Sequence, residues 1–187
     1  MDLEITKAVE VLRKGGVILY PTDTIWGIGC DATNPEAVKK IFSIKGREVG
    51  KSMLILLDDS LKLGKYIREI PEMAIEIFEL STSPITIILP GAINLCSDLL
   101  AEDGSIGVRI TNEEFSKSLI RKFNKPIVST SANFTGEKSP GNFSEISQKI
   151  IDAVDYTVDY GREETSIAKA SSIVKIGLNS EIKIIRN

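Results

Sequence analysis

Short apolar runs alternate with helix-periodic stretches from one end of this 187-residue chain to the other, and that alternation restricts the fold more than any other feature. Ile5, Ala8, Val9 and Leu12 recur on one helical face, and Gly15-Gly16 stops that helix. Val17 to Tyr20 then reads as a buried strand closed by Pro21. Asn34-Pro35-Glu36 supplies a cap, a proline and an acid for a first helical turn, ahead of the stripe Ala37, Val38, Ile41 and Phe42. Met53 to Leu57 is a strand, Pro71 opens a helix carrying Ala74, Ile77 and Phe78, and Thr86 to Leu89 is a strand again. Ile106 to Ile110 is another, after which Asn112-Glu113-Glu114 caps a helix holding Phe115, Leu119 and Ile120. Pro126 to Thr130 is a strand, and Asn142 or Ser144 caps a helix to about Ile151. Strands over Tyr156 to Val158, Ser172 to Ile176 and Ile182 to Ile185 finish the chain. No repeat, composition break or low-complexity linker intervenes, so the expectation is one α/β domain over 1–187. Its prolines and short strands point to a twisted mixed sheet rather than a purely parallel, doubly wound one.

Histidine is absent altogether. Ser-His-Asp and Cys-His catalysis, histidine bases and most transition-metal sites are thereby removed. Two cysteines, Cys30 and Cys96, build neither a disulfide framework nor, without histidine, an ordinary structural zinc site. A reducing, cytoplasmic setting with no protein-bound zinc is expected. The acidic start Met1-Asp2-Leu3-Glu4 does not read as a signal peptide, and no apolar run approaches the roughly 18 residues of a membrane span. Chemistry here has to rest on positioning and charge, through Lys, Arg, Ser, Thr, Asn and carboxylates.

A formal net charge of −3 argues against a dedicated nucleic-acid module. The charge is unevenly spread, however: Lys39, Lys40, Lys45, Arg47 and Lys51 stand against Glu48 alone. Such a run is ordinarily a solvated face, but this one encloses Gly46 and Gly50. Gly46-Arg47-Glu48-Val49-Gly50-Lys51-Ser52 nearly spells a Walker A loop. It has one residue too few between the glycines, and it runs helix, loop, strand where a P-loop needs strand, loop, helix to aim a helix N-terminus at the phosphates. A P-loop is therefore excluded, although Lys45, Arg47 and Lys51 retain the chemistry to clamp a polyphosphate.

Two polar segments follow buried strands, where loops commonly build sites. Pro21-Thr22-Asp23-Thr24-Ile25-Trp26-Gly27-Ile28-Gly29 offers hydroxyls and a carboxylate; Ser129-Thr130-Ser131-Ala132-Asn133-Phe134-Thr135-Gly136 offers hydroxyls and an amide for phosphate and ribose oxygens. Each, alone, is equally a turn whose side chains satisfy their own backbone.

Taken in order, these pieces resemble the YrdC/TsaC family of threonylcarbamoyl-AMP synthases. The resemblance lies in Gly-Gly-Val-Ile-Leu-Tyr-Pro-Thr-Asp-Thr-Ile-Trp-Gly-Ile-Gly over 15–29, Lys45-Gly46-Arg47, Ile106-Gly107-Val108-Arg109, Ser129-Thr130-Ser131-Ala132-Asn133 and a late serine-bearing strand before Arg186. It covers nearly the whole chain and matches the short form of the family, without the appended C-terminal domain of the longer form. It implies a twisted α/β sheet with a basic concave cavity. It also implies a nucleotidyltransferase that turns L-threonine, bicarbonate and ATP into threonylcarbamoyl-AMP and pyrophosphate, with Mg²⁺ accompanying ATP, for threonylcarbamoyladenosine modification of tRNA.

Carried over by position, Lys45, Arg47 and Lys51 would act catalytically on the triphosphate, and Ser105, Ser131, Asn133, Ser139 and Arg186 would complete the ATP site. Thr24, Arg109, Ser129 and Ser171 would hold threonine, with Arg109 opposite its carboxylate. Implied partners are the proteins that receive the adenylate, weakly bound tRNA or double-stranded RNA, and no membrane. The sequence departs from the family at the amino-acid end. Leu56 stands where histidine is common near threonine, Arg109-Ile110-Thr111-Asn112 replaces an Arg-x-Pro-x-His stretch, Ala170-Ser171-Ser172 replaces Pro-Ser-Thr, and Ser81-Thr82-Ser83-Pro84 replaces a Trp-Pro-Gly region. The alternative is a non-catalytic, YciO-like paralogue that binds nucleotide or double-stranded RNA. Such paralogues typically lose the paired KxR or SxN residues, both of which stand here. A HypF-like carbamoyl-adenylate former is disfavoured, since two cysteines cannot build its zinc fingers.

Overall fold

Side-chain caps start some of the helices. In the computed structural model, which describes residues 1–46, 53–164, 170–179 and 181–187, α1 (Asp2–Arg13) buries Ile5, Ala8, Val9 and Leu12. α2 (Pro35–Lys45) starts at Asn34, whose Oδ1 accepts from the Glu36 and Ala37 amides at 3.0 and 3.2 Å. It ends at Gly46, which takes the left-handed conformation (φ +57°) that glycine adopts without strain. α3 (Glu72–Leu80) follows Pro71. α4 (Glu114–Phe123) is capped by Glu113, whose carboxylate accepts from the Phe115 and Ser116 amides at 2.8 and 2.7 Å, while the Asn112 amide oxygen accepts from Lys117 instead.

The expected helix from Asn142 or Ser144 to Ile151 is broken in two. A 3₁₀ turn over Phe143–Glu145 sets the Phe143 ring 4.8 Å from Trp26, the extended residues Ile146 and Ser147 bury the Ile146 side chain, and only then does α5 (Gln148–Ala153) begin. Core burial overrides helical periodicity there.

The strands are β1 (Ile18–Tyr20), β2 (Gly27–Gly29), β3 (Leu54–Leu57), β4 (Ile85–Leu89), β5 (Ile106–Ile110), β6 (Ile127–Ser131), β7 (Tyr156–Thr157), β8 (Ser172–Ile176) and β9 (Ile182–Arg186). They join in the order β7-β1-β2-β6-β3-β5-β4-β8-β9. The pairs β1/β7, β3/β5 and β4/β8 are parallel and the others antiparallel, so the sheet is mixed. β2 was not among the expected strands: Gly-Ile-Gly has little strand propensity of its own. Its glycines answer to their neighbours. A Cβ on Gly29 would sit 2.6 Å from both Tyr20 Cε1 and the Val128 oxygen.

Alternation along the strands sorts two apolar layers. Ile55, Leu57, Ile87, Leu89, Val108 and Val128 face α2 and α3 in the larger cluster. Leu56, Ile18, Tyr20 and Ile127 face α1 and α4 in the smaller one. α1 and α4 cover only the β1–β6–β3 end of their face. Farther along, the in-register residues Leu54, Gly107, Thr86, Ile88, Ile173 and Lys175 line open cavities on that face instead. Several of the residues expected at the site line those cavities. Among the described residues no helix is long and apolar enough to cross a membrane.

Candidate active site

Pro21 ends β1, because it has no amide to extend the ladder, and the chain turns back as β2 with Tyr20 opposite Gly27. The turn is closed by its own side chains: Thr22 Oγ1 donates to the Ile25 carbonyl at 2.8 Å and accepts from the Thr24 amide at 3.2 Å. β6 is apolar at Ile127 and Val128 and becomes hydroxylic at Ser129, Thr130 and Ser131, where its neighbour is glycine-bearing β2. A Cβ on Gly27 would lie 3.1 Å from Ser129 Oγ, so the glycine leaves room for the hydroxyl.

Seven of the expected residues converge. Thr24, Arg109, Ser129, Ser131, Ser139, Ser171 and Arg186 all line one cavity of about 270 Å³, with Trp26, Gly27, Met53, Leu54 and Ile173 among the other walls. They come from the β1–β2 turn, β5, β6, the loop after β6, the approach to β8 and the end of β9. Charged side chains lining it, among the described residues, are Arg109 and Arg186. Met53, Leu54 and Ile173 also line an adjoining cavity of about 650 Å³ that holds Thr86, Ile88, Asp103, Ser105, Lys175, Lys183 and Ile185. Ser105 thus lies in the second cavity, and its hydroxyl donates to Asp103 at 2.6 Å. Asp103 also takes the Lys175 ammonium, and these two contacts hold its carboxyl down at about 2.

Lys45 and Asn133 stand behind the first cavity. The Lys45 ammonium is buried and donates to the Ser131 and Asn133 carbonyls at 2.6 and 2.7 Å and to Asn133 Oδ1 at 3.4 Å. Asn133 Nδ2 donates to the Glu137 carbonyl at 2.7 Å, so the amide pins the loop after β6 from both ends. Arg47 and Lys51 lie outside the described residues. Leu56, expected beside the amino acid, is fully buried in the α1–α4 layer and is not part of either cavity wall. Its parallel-register partner is Arg109, so it supports the arginine from the side as core.

Arg109 is 3% exposed, and its Nη2 lies 3.1 Å from Asp23 Oδ1 and 3.4 Å from Thr22 Oγ1. Burial pushes the Asp23 carboxyl up, which the Arg109 charge opposes; burial likewise pushes Arg109 down against the pull of Asp23. Arg186 grips the main chain, donating from Nε and Nη2 to the Ser171 carbonyl at 3.0 and 2.7 Å, while the Ser171 hydroxyl shares a 2.8 Å hydrogen bond with Thr86. Thr86 and Asp103 were not legible as site residues. Glu102-Asp103-Gly104-Ser105 carried a turn signal, with Asp103 accepting from the Ser105 amide two residues on, but nothing in it pointed to a cavity.

Comparison with known proteins identifies the family. The Sua5_yciO_yrdC family model, described as telomere recombination, matches residues 10–187. The threonylcarbamoyl-AMP synthase of Pseudoalteromonas translucida is 36% identical over 158 residues, 83% of this chain and 84% of that protein. The crystal structure of P. abyssi Sua5 complexed with L-threonine superposes with a TM-score of 0.84 at 25% identity; the match takes in 94% of this chain but only 52% of Sua5, so the chain spans about half of that protein. E. coli YciO, at a TM-score of 0.86, matches 100% of this chain and 90% of its own, and at 24% identity it speaks to the fold alone. With the family model running over 10–187 and a relative this similar over most of its length, the chain belongs to the Sua5/YciO/YrdC family.

Proposed function

We propose that this protein is a threonylcarbamoyl-AMP synthase, a nucleotidyltransferase that joins L-threonine, bicarbonate and ATP. The observation that carries the reading is the convergence of Thr24, Arg109, Ser129 and Ser171 with Ser131, Ser139 and Arg186 on one small cavity that shares the walls Met53, Leu54 and Ile173 with a larger one. The smaller cavity suits an amino acid, and the larger one gives a nucleotide an apolar floor of Ile88, Ile173 and Ile185. The name of the P. translucida relative and the threonine held by P. abyssi Sua5 support the same assignment.

In this reaction the threonine amine takes up the carbon of bicarbonate with loss of water, giving a carbamate. A carbamate oxygen attacks the α-phosphorus of ATP, the bond to the β-phosphoryl oxygen breaks, and pyrophosphate leaves with the negative charge. A carbamate is already a nucleophile, so in-line placement, not an activating base, is what the protein supplies. Arg109 pairs with the threonine carboxylate, and the hydroxyls of Thr24, Ser129 and Ser171 face its polar atoms. Ser105, Ser131, Asn133, Ser139 and Arg186 serve the nucleotide. Lys45, Arg47 and Lys51 neutralise the triphosphate together with the Mg²⁺ that arrives on ATP. The buried Lys45 does so while fixing the loop that carries Ser131 and Asn133. The setting is cytosolic, and the adenylate passes to the proteins that modify tRNA; binding of tRNA or double-stranded RNA is weak and strongly salt-dependent.

The test is pyrophosphate release from ATP with mass spectrometry of the product. Release that needs both threonine and bicarbonate, with a mass matching threonylcarbamoyl-AMP, is expected. Equal release when either is left out overturns the synthase reading.

A further inference from the structure

The β1–β2 turn is a partition with a cavity on each side. Thr24 and Trp26 line both the amino-acid cavity and a second one of about 300 Å³, whose walls include Pro21, Thr22, Asp23, Glu113, Asn142 and Glu164. Among the described residues this far chamber has carboxylates and no lysine or arginine on its walls, whereas the near one has Arg109 and Arg186 and no carboxylate. The Asp23–Arg109 pair crosses the partition: Asp23 belongs to the far wall, Arg109 to the near wall, and their contact is 3.1 Å.

That pair is a poor device for stability. Both side chains are about nine-tenths buried or more, at 10% and 4% exposure. Taking two charges out of water is repaid only when geometry is excellent and the remaining polar atoms are satisfied. Here they are not. Among the described residues Asp23 Oδ1 and Arg109 Nε lack a hydrogen-bond partner, so the contact is an ion pair without an aligned hydrogen bond. Arg109 is also flanked by the apolar layer, with Leu56 beside it in register. An arginine there, left to itself, would turn towards water. What Asp23 supplies is direction.

We propose that Asp23 is a positioning residue: from the far side of the turn, and with Thr22, it holds the Arg109 guanidinium against the near cavity so that one edge is presented to the carboxylate of an α-amino acid. This rests on the proposed amino-acid role of the near cavity. Asp23 does not line that cavity and touches no substrate; it acts through Arg109. Its charge leaves the pair neutral overall, so the incoming carboxylate is recognised by a pre-aimed fork of donors rather than by an unpaired cation.

Two measurements on the full chain test this, after thermal melts have shown that each variant is folded. The first needs no ligand: phenylglyoxal labelling followed by peptide mass spectrometry at Arg109. Arg109 is expected to be protected in the wild type and to label several-fold faster in Asp23→Ala. Equal labelling overturns the proposal. The second is titration of Trp26, the chain's one tryptophan, by fluorescence with L-threonine and with L-threoninol, which lacks the carboxylate. Asp23→Ala is expected to weaken L-threonine by about 10–100-fold, the scale of a misplaced binding group, with little change for L-threoninol. Asp23→Asn, which keeps an oxygen acceptor, should fall between. In the double variant with Arg109→Gln, the loss should not exceed that of Arg109→Gln alone; multiplying effects would mean that Asp23 acts on the fold and not through Arg109. If the wild type ignores L-threonine while labelling still responds to Asp23→Ala, the function reading fails and the positioning role stands. If L-threonine binds and neither readout moves, the reverse holds.

Discussion

The Lys45 ammonium is anchored on Asn133, donating to its carbonyl at 2.7 Å and reaching its Oδ1 at 3.4 Å, across 88 residues of sequence. The KxR and SxN segments are therefore one mechanical unit, in which the lysine shapes the loop that offers Ser131. Replacing Lys45 by Met strands buried carbonyl acceptors. It is expected to destabilise the chain by about 2–4 kcal/mol, from roughly 1–3 kcal/mol per unsatisfied group, and to raise the KM for ATP. Urea unfolding and steady-state kinetics check both, with the exposed Lys149→Met as a control that changes stability by no more than about 0.5 kcal/mol.

Leu56 is core, and its removal should behave as such. Leu56→Ala is expected to cost about 2–5 kcal/mol, as buried leucine truncations do, while leaving the ratio of kcat/KM values for threonine, serine and valine unchanged. A shift in that ratio by more than about tenfold, at unchanged stability, would put Leu56 back beside the substrate.

Glycine substitutions separate crowding from mere backbone freedom. A Cβ on Gly29 would meet Tyr20, Val128 and Ile127 atoms at 2.6, 2.6 and 2.8 Å, and one of these is backbone. Gly29→Ala is expected to destabilise by about 1–3 kcal/mol, the range for overpacking a filled core. Gly64→Ala, with nothing among the described residues within 4 Å of the added carbon, should be neutral or stabilising by up to about 1 kcal/mol. Thermal melts of the two variants give the comparison.

Glu4 links α1 to β7 and the turn after it. Burial alone would raise its carboxyl, but hydrogen bonds from the Tyr156 hydroxyl, Lys7 and the Asp159 amide hold it at about 2, below its ordinary 4.5. A carboxyl depressed in the folded state stabilises above its unfolded pKa and loses that contribution as pH falls through the folded one. Glu4→Gln should thus lower the melting temperature at pH 7, and the gap to the wild type should narrow between about pH 4.5 and about pH 2. A gap that stays constant with pH would show that the charge is not involved.

Much of the fold was legible because local signals and burial agree. Asn34-Pro35 caps α2, Gly46 ends it, and Ile106 to Ile110 forms β5 inside the expected limits. β2 escaped because its glycines are dictated by Tyr20 and Ser129, which arrive from other strands and leave no local trace. The break before α5 escaped for the same kind of reason, since the pull on Phe143 and Ile146 comes from Trp26 and the core. At the site, residues with a motif of their own, such as Thr24, Arg109 and Ser131, meet on one cavity. Leu56 lies in the core and not on a cavity wall, which the sequence does not tell: position along β3 says which face a residue takes, but not where along that face α1 and α4 end and the opening begins.

β6 binds β2 through Ser131 and Thr130 at one end and β3 through Ser129, Val128 and Ile127 at the other. Without it the strand order falls into two pieces, β7-β1-β2 and β3-β5-β4-β8-β9. On the ribosome, then, the first strands wait. β1 and β2 can form a hairpin as soon as they emerge, yet they have no neighbour in the larger piece until residues 127–131 are made, and their outer partner β7 comes later still. Closing such long loops is slow, and the hydroxyl-bearing strand that furnishes Ser129 and Ser131 is also the one that joins the two pieces of the sheet.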